Sequence, residues 1–104
     1  MAQAADATRG KELYESRCAG CHSLDQDRIG PRHRGVIGRK AGTVAGFEYS
    51  PALRASRIVW SPRTLEAWLT NPERLVPGQR MNYSVPDAAD RAAIIVYLEA
   101  NPSP

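Results

Sequence analysis

The stretch Cys18-Ala19-Gly20-Cys21-His22 decides the fold, because two cysteines and a histidine stand in it at the C-x-x-C-H spacing. Two thiols at this separation can add to the two vinyl groups along one edge of a haem, and the histidine that follows is then held beneath the iron. The motif therefore predicts one covalently attached haem c, bonded through the sulfurs of Cys18 and Cys21 and coordinated by His22.

A redox-active dithiol and a zinc site are the alternatives for this cysteine pair. The dithiol normally accompanies βαβ units, and no segment of the chain shows the strict apolar and polar alternation of a half-buried strand. A zinc site needs four ligands, and beyond the motif the sequence adds only His33 as a strong one, at a spacing unlike that of zinc fingers. The haem interpretation is favoured.

Two further residues are needed: an acceptor that holds the ring of His22 and a sixth ligand for the iron. An axial histidine requires an acceptor for its second ring nitrogen, and the carbonyl of Pro31, in Gly30-Pro31, is the candidate. A sixth ligand must come from a short set of residues: Met1, Lys11, His33, Lys40 and Met81. We prefer Met81, because it follows the turn-forming Pro77-Gly78 and stands among polar neighbours, a poor setting for a core methionine.

Length and composition bound the remaining possibilities. The 104 residues predict a single domain, 1–104. The net charge is +3 and the pI near 9.2, but the basic residues are scattered, so no nucleic-acid site is expected. No apolar run approaches the ~20 residues that span a bilayer, and no membrane span is expected.

The compartment follows from the motif. Haem attachment at C-x-x-C-H belongs to oxidising or extracytoplasmic compartments, and no signal peptide is recognisable at the start of the sequence. We therefore expect a leader that is removed, and a location in the bacterial periplasm, or in the intermembrane space if the protein is eukaryotic.

Periodicity and capping signals predict an all-α fold with long loops. Ser50-Pro51, Ser61-Pro62 and Asn71-Pro72 each combine a capping side chain with proline at the first helical position. Residues 22–49 are rich in glycine and have no sustained period, which favours a loop wrapped around a cofactor. Helices are predicted at about 6–17 (capped by Asp6 or Thr8), 51–55, 62–70, briefly after 72, and 87–100.

In this order the motifs resemble the small class I cytochromes c of the mitochondrial and bacterial c2-like type. The resemblance rests on C-x-x-C-H together with segments along nearly the whole chain: Gly10 and Tyr14, Gly30-Pro31, Gly35 to Gly42, Gly46 to Ser50, Trp60, Asn71-Pro72 and Pro77 to Met81. It implies a cytochrome c fold of four or five helices around one haem. It also implies a monomeric one-electron carrier, not an enzyme, that works between redox proteins whose identity the sequence does not name.

The resemblance further implies roles for individual residues. Arg39, Tyr49 and Trp60 resemble the group that holds the inner haem propionate, a buried carboxylate that needs donors or a cation. The alternatives are core aromatics for Tyr49 and Trp60 and a solvated surface charge for Arg39. Trp68 stands where a tyrosine commonly lies near the methionine sulfur. His33 stands where an apolar residue usually packs on the haem, which indicates either water entry or a slipped alignment of that loop with the family.

Two other functions stay open at this point. An open-site haem enzyme or gas sensor would need Met81 to be absent from the iron or labile. A haem domain of a larger redox enzyme is the second, and the proline-rich ending Asn101-Pro-Ser-Pro104 would then be a linker. For the carrier, the rim of the exposed haem edge combines both charge signs, which predicts a shallow dependence on ionic strength: Arg17, Arg74 and Arg80 against Glu12, Glu73 and Asp87.

Overall fold

The computed structural model describes residues 2–103, with side chains described for residues 7–103. Five α-helices follow one another along the chain: α1 (Ala2–Arg17), α2 (Pro51–Ala55), α3 (Pro62–Thr70), α4 (Pro72–Leu75) and α5 (Ala88–Glu99). In this described part no β-strand forms, and the β-type pairing is one isolated antiparallel bridge between Lys40 and Val59. The prediction of an all-α fold with long loops is confirmed. No helix among the described residues has the length and apolar character needed to cross a membrane.

Local capping explains where three of the helices begin. The side chains of Ser50, Ser61 and Asn71 each accept a hydrogen bond from the backbone amide three residues further on, at 3.1, 3.2 and 3.2 Å. Proline occupies the first position of each of these helices, where its missing N–H costs nothing. At Ser61 the hydroxyl of Thr64 accepts from the Ser61 amide in return, which completes a capping box.

The first and last helices of the chain, α1 and α5, differ in how well their bounds were predicted. Asp87 caps α5 by accepting from the amides of Ala89 and Asp90, as its acidic side chain predicts. The predicted cap of α1 is wrong, because α1 begins at Ala2 and both Asp6 and Thr8 lie inside it. The alanine-rich segment before Asp6 has high helix propensity, so the helix continues through it. Met1 lies outside the described residues.

The core forms where α1 crosses α5. Gly10 is buried at this crossing, and a Cβ atom on it would lie 2.0 Å from the carbonyl oxygen of Ala93, so the backbones approach as only glycine allows. The rings of Tyr14 and Tyr97 meet beside it with centroids 5.3 Å apart. α3 packs on α5 and α4. The helices contribute these side chains to the core: Leu13, Tyr14, Leu65, Trp68, Leu69, Ile94 and Leu98.

Few backbone hydrogen bonds hold the long loop between residues 22 and 49. Its first part pairs with itself, since the amide of His33 donates to the carbonyl of Ser23 at 3.0 Å. Its later part pairs with the segment before α3: the amide of Gly38 donates to the carbonyl of Trp60 at 2.7 Å, and the amide of Trp60 donates to Arg39 at 2.8 Å. The loop thereby brings Arg39 and Trp60 side by side.

Candidate haem-binding site

The C-x-x-C-H motif forms a tight turn directly after α1. The amides of Cys21 and His22 both donate to the carbonyl of Cys18, at 3.1 and 2.8 Å. The two cysteines are not joined in a disulfide; Cys18 is partly buried against the core and Cys21 is exposed, so both sulfurs are left for bonds to a haem. The turn therefore presents two thiols and one imidazole together.

The ring of His22 is held by the loop that follows the motif. Its Nδ1 donates to the carbonyl oxygen of Pro31 at 3.0 Å, the hydrogen bond that the sequence predicts. Gly30 lies against the ring, and a Cβ atom there would lie 2.0 Å from Cε1 of His22. Burial lowers the pKa of His22 and keeps the imidazole neutral, despite the opposing effect of the Pro31 bond. A neutral imidazole with Nε2 free is the form that binds a metal.

The segment that carries Met81 is organised by a buried amide. Gln79 is only 5% exposed. Its Nε2 donates to Glu73 at 3.0 Å and to the side-chain oxygen of Asn82 at 2.6 Å, while its Oε1 accepts from the Asn82 amide at 2.9 Å. Glu73 also accepts from the Gly78 amide at 2.9 Å, and the bonds from Gln79 and Gly78 lower the pKa of its carboxyl. Met81 lies between these anchors and packs, partly buried, against the core.

Arg39 and Trp60 meet through their backbones, and Arg39 is fixed rather than freely solvated. Its guanidinium donates to the carbonyls of Arg32 and Arg34, at 2.8 and 2.7 Å, and the side chain is partly buried. Burial lowers its pKa, but an arginine keeps its charge. Trp60 is buried and meets Trp68 of α3 edge to face, with ring centroids 5.4 Å apart. This cationic group and the two indoles are neighbours in the fold.

Two donors in this region lack a protein acceptor. The hydroxyl oxygen of the buried Tyr49 accepts from the amide of Val44 at 3.0 Å. Among residues 7–103 nothing accepts from the Tyr49 hydroxyl or from the indole N–H of Trp60. No fully buried side-chain nitrogen or oxygen in this range lacks a hydrogen-bond partner, so the indole nitrogen of Trp60 is accessible, and both donors suit the acceptor oxygens of a bound carboxylate. With two thiols and a neutral imidazole nearby, the residues fit the haem that the motif implies.

His33 lies beside His22, the histidine eleven residues before it in the chain. Its ring stacks on the ring of His22, with centroids 4.1 Å apart and planes inclined by 23°. Its Nδ1 makes a hydrogen bond of 2.9 Å with the hydroxyl of Tyr14. Because its ring stacks on His22, His33 lies on the same side of the site as the predicted proximal ligand, which counts against it as a sixth ligand. Sequence reasoning missed the Tyr14 bond, because it joins residues 19 positions apart.

Comparison with known protein families agrees with this geometry. Residues 5–98 match the family described as cytochrome C oxidase, cbb3-type, subunit III. Cytochrome c 2.1 of Caenorhabditis briggsae is 42% identical over 99 residues, which cover 92% of this chain and 88% of the relative. Cytochrome c of Euglena viridis is 42% identical over 97 residues, covering 90% and 95%. Cytochrome c-type cyt cy of Rhodobacter capsulatus is 41% identical, but the match covers only 50% of its length.

A solved structure shares the arrangement of helices. Cytochrome cH from Methylobacterium extorquens superposes with a TM-score of 0.85 at 33% sequence identity, covering 90% of this chain and 97% of that one. The similarity in sequence and in structure therefore extends over both the motif and the helices that enclose it.

Proposed function

This chain belongs to the class I c-type cytochromes, and from that premise we propose that it carries single electrons with His22 and Met81 as the two axial ligands of its iron. It has one covalently bound haem c and serves electron transfer rather than catalysis. The bound iron supplies the one-electron couple, and a thioether ligand favours its reduced form. The observation that carries the proposal is the C-x-x-C-H turn, in which Pro31 engages Nδ1 of His22 and leaves Nε2 for the metal.

The support for Met81 is its setting. Met81 is partly buried on a loop, between Gln79 and Asn82, which are hydrogen-bonded to one another. A thioether presented by an anchored loop can stay bound through both oxidation states, which keeps other ligands off the iron. Held in this way, Met81 closes the site, as a carrier requires.

The buried polar side chains have a complementary role in this proposal. In this proposal Arg39, Tyr49 and Trp60 hold the inner propionate, because Arg39 supplies positive charge while the Tyr49 hydroxyl and the Trp60 indole N–H are donors with no acceptor among residues 7–103. Trp68, buried beside Trp60, excludes water from the same side. Together these residues stabilise a carboxylate that would otherwise be costly to bury.

In this proposal, electrons leave through the surface around Cys21, the exposed cysteine of the C-x-x-C-H motif. Cys21 is exposed, and the amide of Gly30 donates to its carbonyl at 2.8 Å. Ile29, next to Gly30, is 79% exposed. We propose that redox proteins dock here briefly, over an interface at the small end of the usual range. The carrier is then a monomer and a single domain, 1–104, in the bacterial periplasm.

Replacing Met81 by alanine tests the axial ligation. The oxidised wild-type holoprotein is expected to be low-spin with a thioether-to-iron charge-transfer band, and the reduced protein not to bind carbon monoxide quickly. Met81→Ala should lose the band and the low-spin state and should bind carbon monoxide, because one axial position is open. Arg80→Ala, an exposed neighbour on the same loop, is the control and should match wild type.

An unchanged spectrum in Met81→Ala would remove Met81 from the site. Rapid binding of carbon monoxide to reduced wild type would favour the open-site alternative, a haem enzyme or gas sensor, over a closed electron carrier.

A further inference from the structure

His33 occupies a position that the proposed electron transfer does not use. Three side chains surround its ring: His22 stacks on one face, Tyr14 approaches edge-on with centroids 5.6 Å apart, and Arg39 lies near enough to act on it electrostatically. Its backbone is held as well, since its amide donates to the carbonyl of Ser23 at 3.0 Å. A side chain fixed at both ends and placed against His22 can influence that ring.

The hydrogen bond with Tyr14 fixes the plane of the His33 ring. A hydroxyl can donate to or accept from an imidazole nitrogen, so this 2.9 Å bond between Tyr14 and Nδ1 of His33 forms with either ring tautomer. The His33 ring therefore keeps one orientation, whichever nitrogen has the proton.

The ring of His22 has little freedom to rotate between its own contacts. Nδ1 is bonded to Pro31, the backbone of Gly30 lies against Cε1, and the stacked ring of His33 limits motion out of the plane. Groups that fix the orientation of a ligating histidine tune the metal bound to it. Of these contacts, only that of His33 is made by a side chain.

We infer that His33, held by Tyr14, is a positioning residue that fixes the plane of the His22 ring by stacking on it. The inference rests on the proposed function, because it takes His22 as the proximal ligand. The polar His33 ring also solvates the positive charge of the oxidised site better than a hydrocarbon side chain in its place. His33 therefore lowers the reduction potential relative to an aliphatic residue.

Three variants of the holoprotein separate this role from simple packing. Tyr14→Phe removes the hydrogen bond and keeps both rings, and it should broaden and shift the low-spin g values of the oxidised protein. His33→Leu removes the stacked ring, and it should shift the g values further and raise the reduction potential. His33→Phe restores a flat ring without the polar nitrogens, so it should return the g values toward wild type while the potential stays raised.

Tyr97→Phe is the matched control, because Tyr97 packs against Tyr14 at 5.3 Å without contacting His33 through a hydrogen bond. It should leave the g values and the potential unchanged. The inference is overturned if Tyr14→Phe and His33→Leu lower only the melting temperature and keep the wild-type g values and potential. It is equally overturned if His33→Phe has the g values of His33→Leu.

The wild-type spectrum distinguishes this failure from a failure of the proposed function. Wild type without a low-spin iron and a thioether band contradicts the axial ligation itself. Wild type with both, beside variants identical to it in g values and potential, contradicts only the role of His33.

Discussion

Gln79 shows how one buried amide can organise a functional loop. Both polar atoms of its side chain are engaged: Nε2 donates two hydrogen bonds, to Glu73 and Asn82, and Oε1 accepts one from the Asn82 amide. Asn82 adopts a left-handed backbone conformation, φ +50°, which a short polar side chain tolerates. The network connects α4 to both sides of Met81, so removing it loosens the residue proposed to bind the iron.

Replacing Gln79 by alanine should release Met81 under milder conditions. The change removes the hydrogen bonds that the buried Gln79 amide makes to Glu73 and Asn82, and the two bonds to Asn82 contribute about 0.5–1.5 kcal/mol each. The measurement is the loss of the thioether charge-transfer band with increasing urea, compared with wild type. Gln26→Ala, an exposed glutamine in another loop, is the matched control. Equal midpoints for Gln79→Ala and wild type would contradict the anchoring role of the amide.

Residues whose contacts are local could be predicted, and residues whose contacts depend on the fold could not. The bond from His22 to Pro31 was predictable, because the ring needs an acceptor and the following loop supplies it within nine positions. The bond between Tyr14 and His33 was not, because it requires α1 to meet the long loop. Gln79 was missed because a polar residue beside a Pro-Gly turn is usually exposed.

At the scale of elements, Gly10 sets how closely α1 and α5 approach. A Cβ atom at this position would lie 2.0 Å from the carbonyl oxygen of Ala93 and 2.8 Å from Cβ of Tyr97. The Ala93 oxygen belongs to the backbone of α5 and cannot move alone. The helices would have to separate, which also disturbs the contact between Tyr14 and Tyr97. The crossing thus depends on one missing side chain.

Gly10→Ala should lower the free energy of unfolding of the holoprotein by about 1–3 kcal/mol, the usual cost of overpacking. The higher helix propensity of alanine offsets at most about 1 kcal/mol of this. Urea unfolding followed by circular dichroism measures the change. Gly20→Ala is the control, because a Cβ there meets nothing within 4 Å. A Gly10→Ala protein as stable as the Gly20→Ala protein would contradict the close approach.

The starts of α2, α3 and α4 were predicted better than the start of α1, for a physical reason. Ser50, Ser61 and Asn71 announce their helices through side chains that act within one turn. For α1 the polar residues Asp6 and Thr8 looked like caps, but strong helix formers precede them and the helix continues. A capping residue ends a helix only where the chain before it cannot extend it.

At the scale of the whole molecule, ion pairs neutralise several basic side chains and so weaken the electrostatic field at the surface. Arg17 lies 3.3 Å from Asp90, Arg34 lies 2.6 Å from Asp25, and Arg32 lies 3.1 Å from Asp27. The net charge is only +3, and exposed charges further apart than about 10 Å are largely screened at 0.1 M salt. Among residues 7–103, Arg17, Arg32 and Arg34 are therefore paired with carboxylates and do not add to a free positive surface.

The rate of oxidation of the reduced protein by hexacyanoferrate(III) should consequently fall only shallowly as ionic strength rises. Stopped-flow measurement over a series of salt concentrations gives the slope. Glu12→Lys, at an exposed position on the proposed rim, should make the slope steeper and serves as the comparison. A steep slope already in wild type would contradict the mixed rim.

The order of motifs was enough to predict the architecture. It was not enough to predict the path of the loop formed by residues 22–49. The fold follows from the cofactor signature and from helices with local signals, and these are properties of short segments. The path of the loop depends on pairings such as Gly38 with Trp60 and Ala41 with Ile58. Such pairings form only when distant segments have already met, so no local pattern announces them.

The meeting of Gly10 with Ala93 also has a kinetic consequence. It encloses most of the polypeptide in a single ring, and closing a ring of this size costs about 4 kcal/mol of chain entropy. That cost arises before the contact returns any stabilisation, which slows chains whose decisive contacts are remote. We therefore expect the search of one terminal helix for the other to slow refolding, and a variant shortened at an exposed bend should refold faster in stopped-flow measurements.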